Sequence, residues 1–198
     1  MKAITSVEVK GRVGPGGVDG LATGVAAVAL AVPGVAHAEE RTCRGTLGAV
    51  TVDNLRVPSG ATCTLEGTRV KGTIKVESNA RLAATSVNVI GNVQAENFRS
   101  VKLTGSTVGG SVQLVQGGSA TIRHNQIEGT LLFDDNSGSL IAANNTINAD
   151  LQAFQNTGGV TINKNRIDGN LQCKENQPPP TGGGNIVQGN KEDQCARL

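Results

Sequence analysis

Four cysteines, Cys43, Cys63, Cys173 and Cys195, and one histidine beyond the first forty residues, His124, are the side chains best suited to redox, metal or nucleophilic chemistry in this 198-residue chain. The cysteines form no CxxC pair and fall at opposite ends of the sequence, which speaks against a thiolate metal site. His124 has neither a nucleophile nor an acid at a recognisable motif spacing, so it reads as a solvated corner residue rather than part of a triad. Among the carboxylates, Glu128 and Asp168 come nearest to a pair, with Asp150 between them and Asp134-Asp135-Asn136 close by. Calcium needs six or more oxygens around one point; a calcium cluster at these acids is the minor reading and a solvated polar face the default. Lys102 and Arg123 come close to one another but no acid joins them. The expectation is therefore no catalytic residue, no metal and no cofactor.

The elements that carry these residues follow from an internal repeat. An apolar residue followed by a polar-small stretch recurs at Val70, Val89, Val108, Ile127, Ile147, Ile167 and Val187, in steps of 19, 19, 19, 20, 20 and 20 residues. Fixing the register there aligns further columns: Ile74, Val93, Val112, Leu131, Leu151 and Leu171 four residues on, and Cys63, Leu82, Val101, Ala120, Leu140 and Val160 seven before. Within a repeat the apolar residues alternate with polar ones, the period of a strand with one buried face. The Gly, Asn, Ser and Thr between them are poor helix formers. Strands this short cannot bury a core within one repeat; stacked coil on coil, each column becomes a continuous interior ladder. Asn125, Asn145, Asn165 and Asn185 align at one corner, and Asn136, Asn156 and Asn176 at another. Asparagine tolerates left-handed backbone and can pair with its copy in the next coil, so both sets read as structural ladders.

With this period, these inward columns and these Asn corners, residues 43–195 resemble the right-handed parallel β-helix proteins, the pectin-lyase-like solenoids, and in particular their small secreted members. The resemblance implies an all-β, right-handed parallel β-helix of roughly seven coils of 19–20 residues; the right-handed sense also agrees with the general preference of parallel crossovers. No catalytic motif accompanies it. An antiparallel sandwich has no reason to repeat at this period, and the Leu-x-x-Leu-x-Leu signature of leucine-rich repeats is absent.

Residues 1–38 lie outside the repeat. Lys2, Lys10 and Arg12 precede an apolar run from Leu21 to Val35 that ends in Ala36-His37-Ala38, the pattern of a cleaved signal peptide. The expectation is a secreted, extracellular protein made of one β-helix domain over 39–198, with an irregular first coil at 39–66, regular coils at 67–177 and an irregular end at 178–198. Subtracting three bases and two acids leaves 15 basic and 14 acidic residues in that domain, so it is close to neutral. A nucleic-acid binder would need a basic stripe and, for single strands, stacking aromatics; with three Phe and no Tyr or Trp, that class is set aside. No membrane association is expected once the leader is removed. Phe133 falls in an inward column, while Phe98 and Phe154 fall near corners.

Cys43 and Cys63 are 20 residues apart and Cys173 and Cys195 are 22 apart, each about one coil. Strands of adjacent coils lie ~4.8 Å apart, within reach of a disulfide, and an exported chain favours oxidation. Of the three connectivities, Cys43–Cys63 and Cys173–Cys195 is expected, pinning both ends. Near the C-terminal end Pro180 takes the place of Val160, Gly182 that of Ile162 and Lys191 that of Leu171, which predicts the loss of a strand there.

One outward column reads Lys75, Gln94, Gln113, Leu132, Gln152 and Gln172. Gln94, Gln113, Gln152 and Gln172 are the candidate binding face. Stacked glutamines can simply ladder along the solenoid, and the same flat face suits a regular extracellular surface such as a cell wall or polysaccharide. An ice-binding face would carry a stricter Thr-x-Thr array than the column holding Ala83, Lys102 and Ile141. A non-enzymatic binding or packing role is expected; a reduced pectin-lyase-like carbohydrate-active enzyme acting through Lys102, Arg123, Asp150 and Asp168 is the alternative, and self-association through coil edges is a third reading.

Overall fold

The computed structural model describes residues 39–198; the expected signal peptide lies outside the described residues. Alternation of apolar and polar residues resolves into twenty-five short strands and, among the described residues, no helix. Every strand pairing is parallel, and the strands collect into three sheets of nine, eight and eight. We name them A, B and C, in the order in which each coil visits them. In the coil following Cys63, for example, Cys63 lies in a sheet B strand (Thr62–Glu66), Val70 in a sheet C strand (Arg69–Val70) and Ile74 in a sheet A strand (Ile74–Val76). The chain is a parallel β-solenoid of about eight turns rather than seven, because residues before Cys63 already form a turn with strands Glu40–Thr42, Gly45–Leu47 and Thr51–Val52.

The aligned apolar columns occupy the interior. Leu55, Ile74, Val93, Val112, Leu131, Leu151 and Leu171 are mutual register partners along sheet A, and each is fully buried. Burying a Leu, Ile or Val is worth ~1.5–3 kcal/mol, so these ladders supply the driving force that no single coil could. Volume is matched between coils. Phe98 is buried, and the residue stacked on it, Gly117, has no side chain; a Cβ there would meet the Phe98 ring.

At both ladder corners the structure corrects the expected backbone. The left-handed residue is the one before each ladder asparagine: His124, Asn144, Lys164 and Gly184 precede Asn125, Asn145, Asn165 and Asn185, and Asp135, Gln155 and Glu175 precede Asn136, Asn156 and Asn176. The reason is directional. The tight turn sends the left-handed residue's side chain to solvent, as with exposed His124 and Lys164, and turns the following asparagine into the interior, where it is buried.

Both disulfides form as expected, Cys43–Cys63 and Cys173–Cys195, with Cα separations of 5.6 and 5.3 Å. Their register differs from the expected equivalence. The strand partner of Cys63 is Gly45, two residues past Cys43, and the partner of Cys173 is Asp193, two residues short of Cys195. Each bond thus joins an inward strand cysteine to a residue just outside the neighbouring terminal strand. All four cysteines belong to the buried core, so the bonds plug the ends of the tube as well as pinning them.

The strand predicted to be lost near the C-terminus is retained: Thr181–Gly183 pairs with Val160–Asn163. Parallel pairing uses backbone groups, so glycine in place of Ile162 removes core volume but leaves the ladder intact. Gly182 also needs its hydrogen side chain, since its φ is +137° and a Cβ would collide with the Ile162 carbonyl. Both ends of sheet A carry a base where the buried leucine column would continue, Arg41 opposite Leu55 and Lys191 opposite Leu171.

Candidate functional site

Three flat outward faces result, and the candidate residues distribute over all of them. On sheet A the column Arg56, Lys75, Gln94, Gln113, Leu132, Gln152, Gln172 and Glu192 is in strict register. Gln94 Nε2 donates to Gln113 Oε1 at 3.2 Å, Gln152 Nε2 to Gln172 Oε1 at 2.7 Å, and Gln172 Nε2 to Glu192 Oε2 at 2.9 Å. Leu132 interrupts this amide chain, separating Gln94 and Gln113 from Gln152 and Gln172.

Beside the first pair lies a shallow depression of about 620 Å³, walled by Lys75, Gln94, Gln113, Glu77 and Glu96 and by the turn at Ser59. Glu77 is held in place there. The Ser59 backbone N–H donates to its Oε2 at 3.0 Å and Arg56 Nη1 approaches its Oε1 at 3.3 Å. The Ser59 N–H is the main cause that keeps the Glu77 carboxyl below the ordinary glutamate range. Glu96 follows Glu77 one coil on, placing two carboxylates and the Lys75 ammonium on the same concave surface. The sequence hid this cluster because Ser59, Glu77 and Glu96 come from different repeats and are joined only by stacking.

Sheet C and its flanking turn carry Glu128, Asp168 and Asp150, whereas Asp134 ends a sheet A strand and Asp135 takes the corner after it. Glu128 accepts from Gln126 Nε2 at 2.8 Å and from Asn148 Nδ2. Asp168 accepts from Gln188 Nε2 at 3.0 Å, with Arg166 Nη2 at 3.5 Å. Asp150 does another job: its Oδ1 accepts the Asn170 backbone N–H at 2.7 Å, one step in a third corner ladder that includes Asn54, Asn92 and Asn170. Lys102 and Arg123 stand on sheet B. The four residues of the enzymatic alternative therefore do not converge. Lys102 and Arg123 share a face that lacks Asp150 and Asp168, because each coil turns between sheet B and sheet C. His124 is exposed at a corner between those two sheets. Among the described residues no three His, Cys, Asp or Glu side chains group as metal ligands.

The Asn125, Asn145, Asn165 and Asn185 ladder is interior. Each Oδ1 accepts the backbone N–H of the residue one coil earlier, from Ser106, Asn125, Asn145 and Asn165, at 2.9–3.0 Å. Each Nδ2 donates to a backbone carbonyl, of Leu103, Ile122, Ala142 and Ile162 respectively. The second Nδ2 hydrogen of Asn125, Asn145 and Asn165 goes to the next asparagine's Oδ1, so Asn145 and Asn165 have no capacity left for a ligand. Phe154 is half-buried on the outer side of sheet A, where its strand neighbour is Asp134.

Comparison with protein-family profiles, with curated proteins and with solved structures found no match for this chain.

Proposed function

We propose that this protein is a secreted, non-enzymatic, right-handed β-solenoid of pectin-lyase-like type that binds a regular extracellular polymer through sheet A. The observation that carries the reading is the amide pair Gln94–Gln113 on the rim of the depression with Lys75, Glu77 and Glu96. Amides donate and accept at once, as a polymer of sugar hydroxyls requires. Their one-coil spacing runs along the solenoid axis, so a linear ligand lying along it meets the same group on two successive coils. Two disulfides agree with an oxidising, extracellular setting.

The test is co-sedimentation of the purified protein with cell walls and insoluble polysaccharides, against the Gln94→Ala/Gln113→Ala double variant. Depletion of the wild type that the double variant reduces severalfold supports the reading. Equal depletion of both proteins, or of neither, overturns it. The adjacency of Lys75, Glu77 and Glu96 favours a second reading, a reduced carbohydrate-active enzyme with its acid and base there. Release of new reducing or unsaturated chain ends, abolished by Glu96→Gln, would establish that alternative.

A further inference from the structure

The outward face of sheet A also has a symmetry that binding a polymer does not require. Its first column reads Lys75, Gln94, Gln113, Leu132, Gln152, Gln172 and Glu192 in unbroken register. Leu132 stands in the middle, with two glutamines on each side and charges of opposite sign at the two ends, each three coils away. The second outward column, two residues further along each strand, reads Glu96, Val115, Asp134, Phe154 and Lys174. Here too the ends carry opposite charges, two coils either side of Asp134. Val115, Leu132 and Phe154 are half-buried and fall on consecutive coils, so the apolar part of the face lies at its centre. Among the described residues, Lys75, Glu96 and Glu192 join no ion pair. Lys174 meets only its chain neighbour Glu175, at 3.8 Å.

We propose that this face docks a second copy of the chain, giving an antiparallel, face-to-face dimer centred on Leu132. A two-fold axis lying in the face along the strand direction reverses the order of the coils and sets each column opposite itself, the self-complementary contact of a two-fold dimer. Lys75 of one copy then faces Glu192 of the other, and Glu96 faces Lys174. Gln94 faces Gln172 and Gln113 faces Gln152, and amides donate and accept at once. Leu132 meets its own copy, and Val115 meets Phe154. One contact is unfavourable: Asp134 meets itself on the axis. An axis along the solenoid instead sets each apolar side chain against a polar one, Leu132 against Asp134, and gives no apolar centre. The face spans six coil steps, ~29 Å, and is two columns wide, so the dimer is of the weak, reversible kind that small interfaces give. A polymer on the Gln94–Gln113 pair and a second copy compete for this face, but the dimer stands without that reading.

The experiment is sedimentation of the purified protein, with no polymer present, from ~10 µM to ~1 mM. A reversible monomer–dimer equilibrium is the expected result. Lys75→Glu and Glu192→Lys each weaken association about tenfold, since each sets like charges opposite one another. An equimolar mixture of these two variants restores it, because in the mixed dimer each copy brings the charge that the other lacks. Within one chain the two residues lie six coils apart, so a folding defect in either variant cannot produce that rescue. Leu132→Glu abolishes the dimer, Asp134→Asn tightens it severalfold, and Lys102→Gln on sheet B leaves it unchanged. Circular dichroism confirms that each variant is folded. A monomer throughout the concentration range, a dimer indifferent to Lys75→Glu, or a mixture no more associated than its two components overturns the proposal.

Discussion

The two amide columns of this solenoid use the same chemistry at the same one-coil spacing, and differ in where they sit. Asn125, Asn145, Asn165 and Asn185 are buried, between 1 % and 7 % exposed, and each amide is bonded to the adjoining coils. Gln94, Gln113, Gln152 and Gln172 face solvent, where water competes for each bond and Leu132 breaks the series without disturbing the register on either side. A buried polar group left without a partner costs ~1–3 kcal/mol, while an exposed hydrogen bond is exchanged for water at little net change. The interior column is therefore obligatory for the fold. The exterior column is dispensable to it and free to meet a ligand.

That contrast can be tested by deletion. Asn145→Ala removes the acceptor of two Asn125 donors and the donor to Ile122 O. With several buried groups stranded, we expect a loss of about 3–4 kcal/mol in urea unfolding. A loss below ~1 kcal/mol would mean that water enters the corner and that the two columns are energetically alike. Next in size is the end plug. Cys43→Ser/Cys63→Ser opens a loop of 20 residues, and about 3 kcal/mol of stabilisation should go with it, read as a lowered melting temperature. On the surface column, Gln152→Ala should change stability by less than about 0.5 kcal/mol.

The ends offer a related contrast in association. Arg41 and Lys191 would face one another if a second copy stacked head to tail in register, a like-charge arrangement that guards exposed strand edges. Sedimentation should accordingly show nothing larger than a dimer. Arg41→Leu/Lys191→Leu should associate further with concentration; a double variant no larger than a dimer would show that other features block the edges.

The smallest effect expected is with pH. Lys71 Nζ lies 2.9 Å from Asp53 Oδ1, and its hydrogen bond and charge hold the Asp53 carboxyl below the usual aspartate range. Glu77 is lowered chiefly by the Ser59 N–H. A carboxylate with a depressed folded value stabilises the fold fully above its unfolded value. That contribution disappears as pH falls through the folded one. Both groups are half-buried and still reach solvent, so the acid-side fall in melting temperature should be slight, and slighter still in Asp53→Asn.

Much of the architecture was legible before any coordinates. Period, inward columns, Asn corners and both cysteine pairings follow from residue type at fixed spacing, because a solenoid repeats one local rule and each column is defined by sequence distance alone. The first turn was harder to read. Its sheet A strand is offset by 14 residues from the next coil, Glu40 opposite Asn54, where later coils are offset by 19 or 20. The C-terminal strand misled because glycine loses core volume without losing backbone pairing. Which face each polar residue of the enzymatic alternative occupies was not legible either, since Lys102 and Asp168 belong to faces that a single corner turns apart.

Composition and spacing by themselves determined that this chain stacks, what fills its interior and how its ends are tied, since hydrophobic alternation and cysteine spacing act through the chain's own one-dimensional order. Only the tertiary structure decided which side chains share a surface: Ser59 with Glu77 and Glu96 beside the glutamines, and Val115 and Phe154 on either side of Leu132. Those juxtapositions depend on the strand register between coils and on the direction each corner turns, and both are set by the packing of the whole tube.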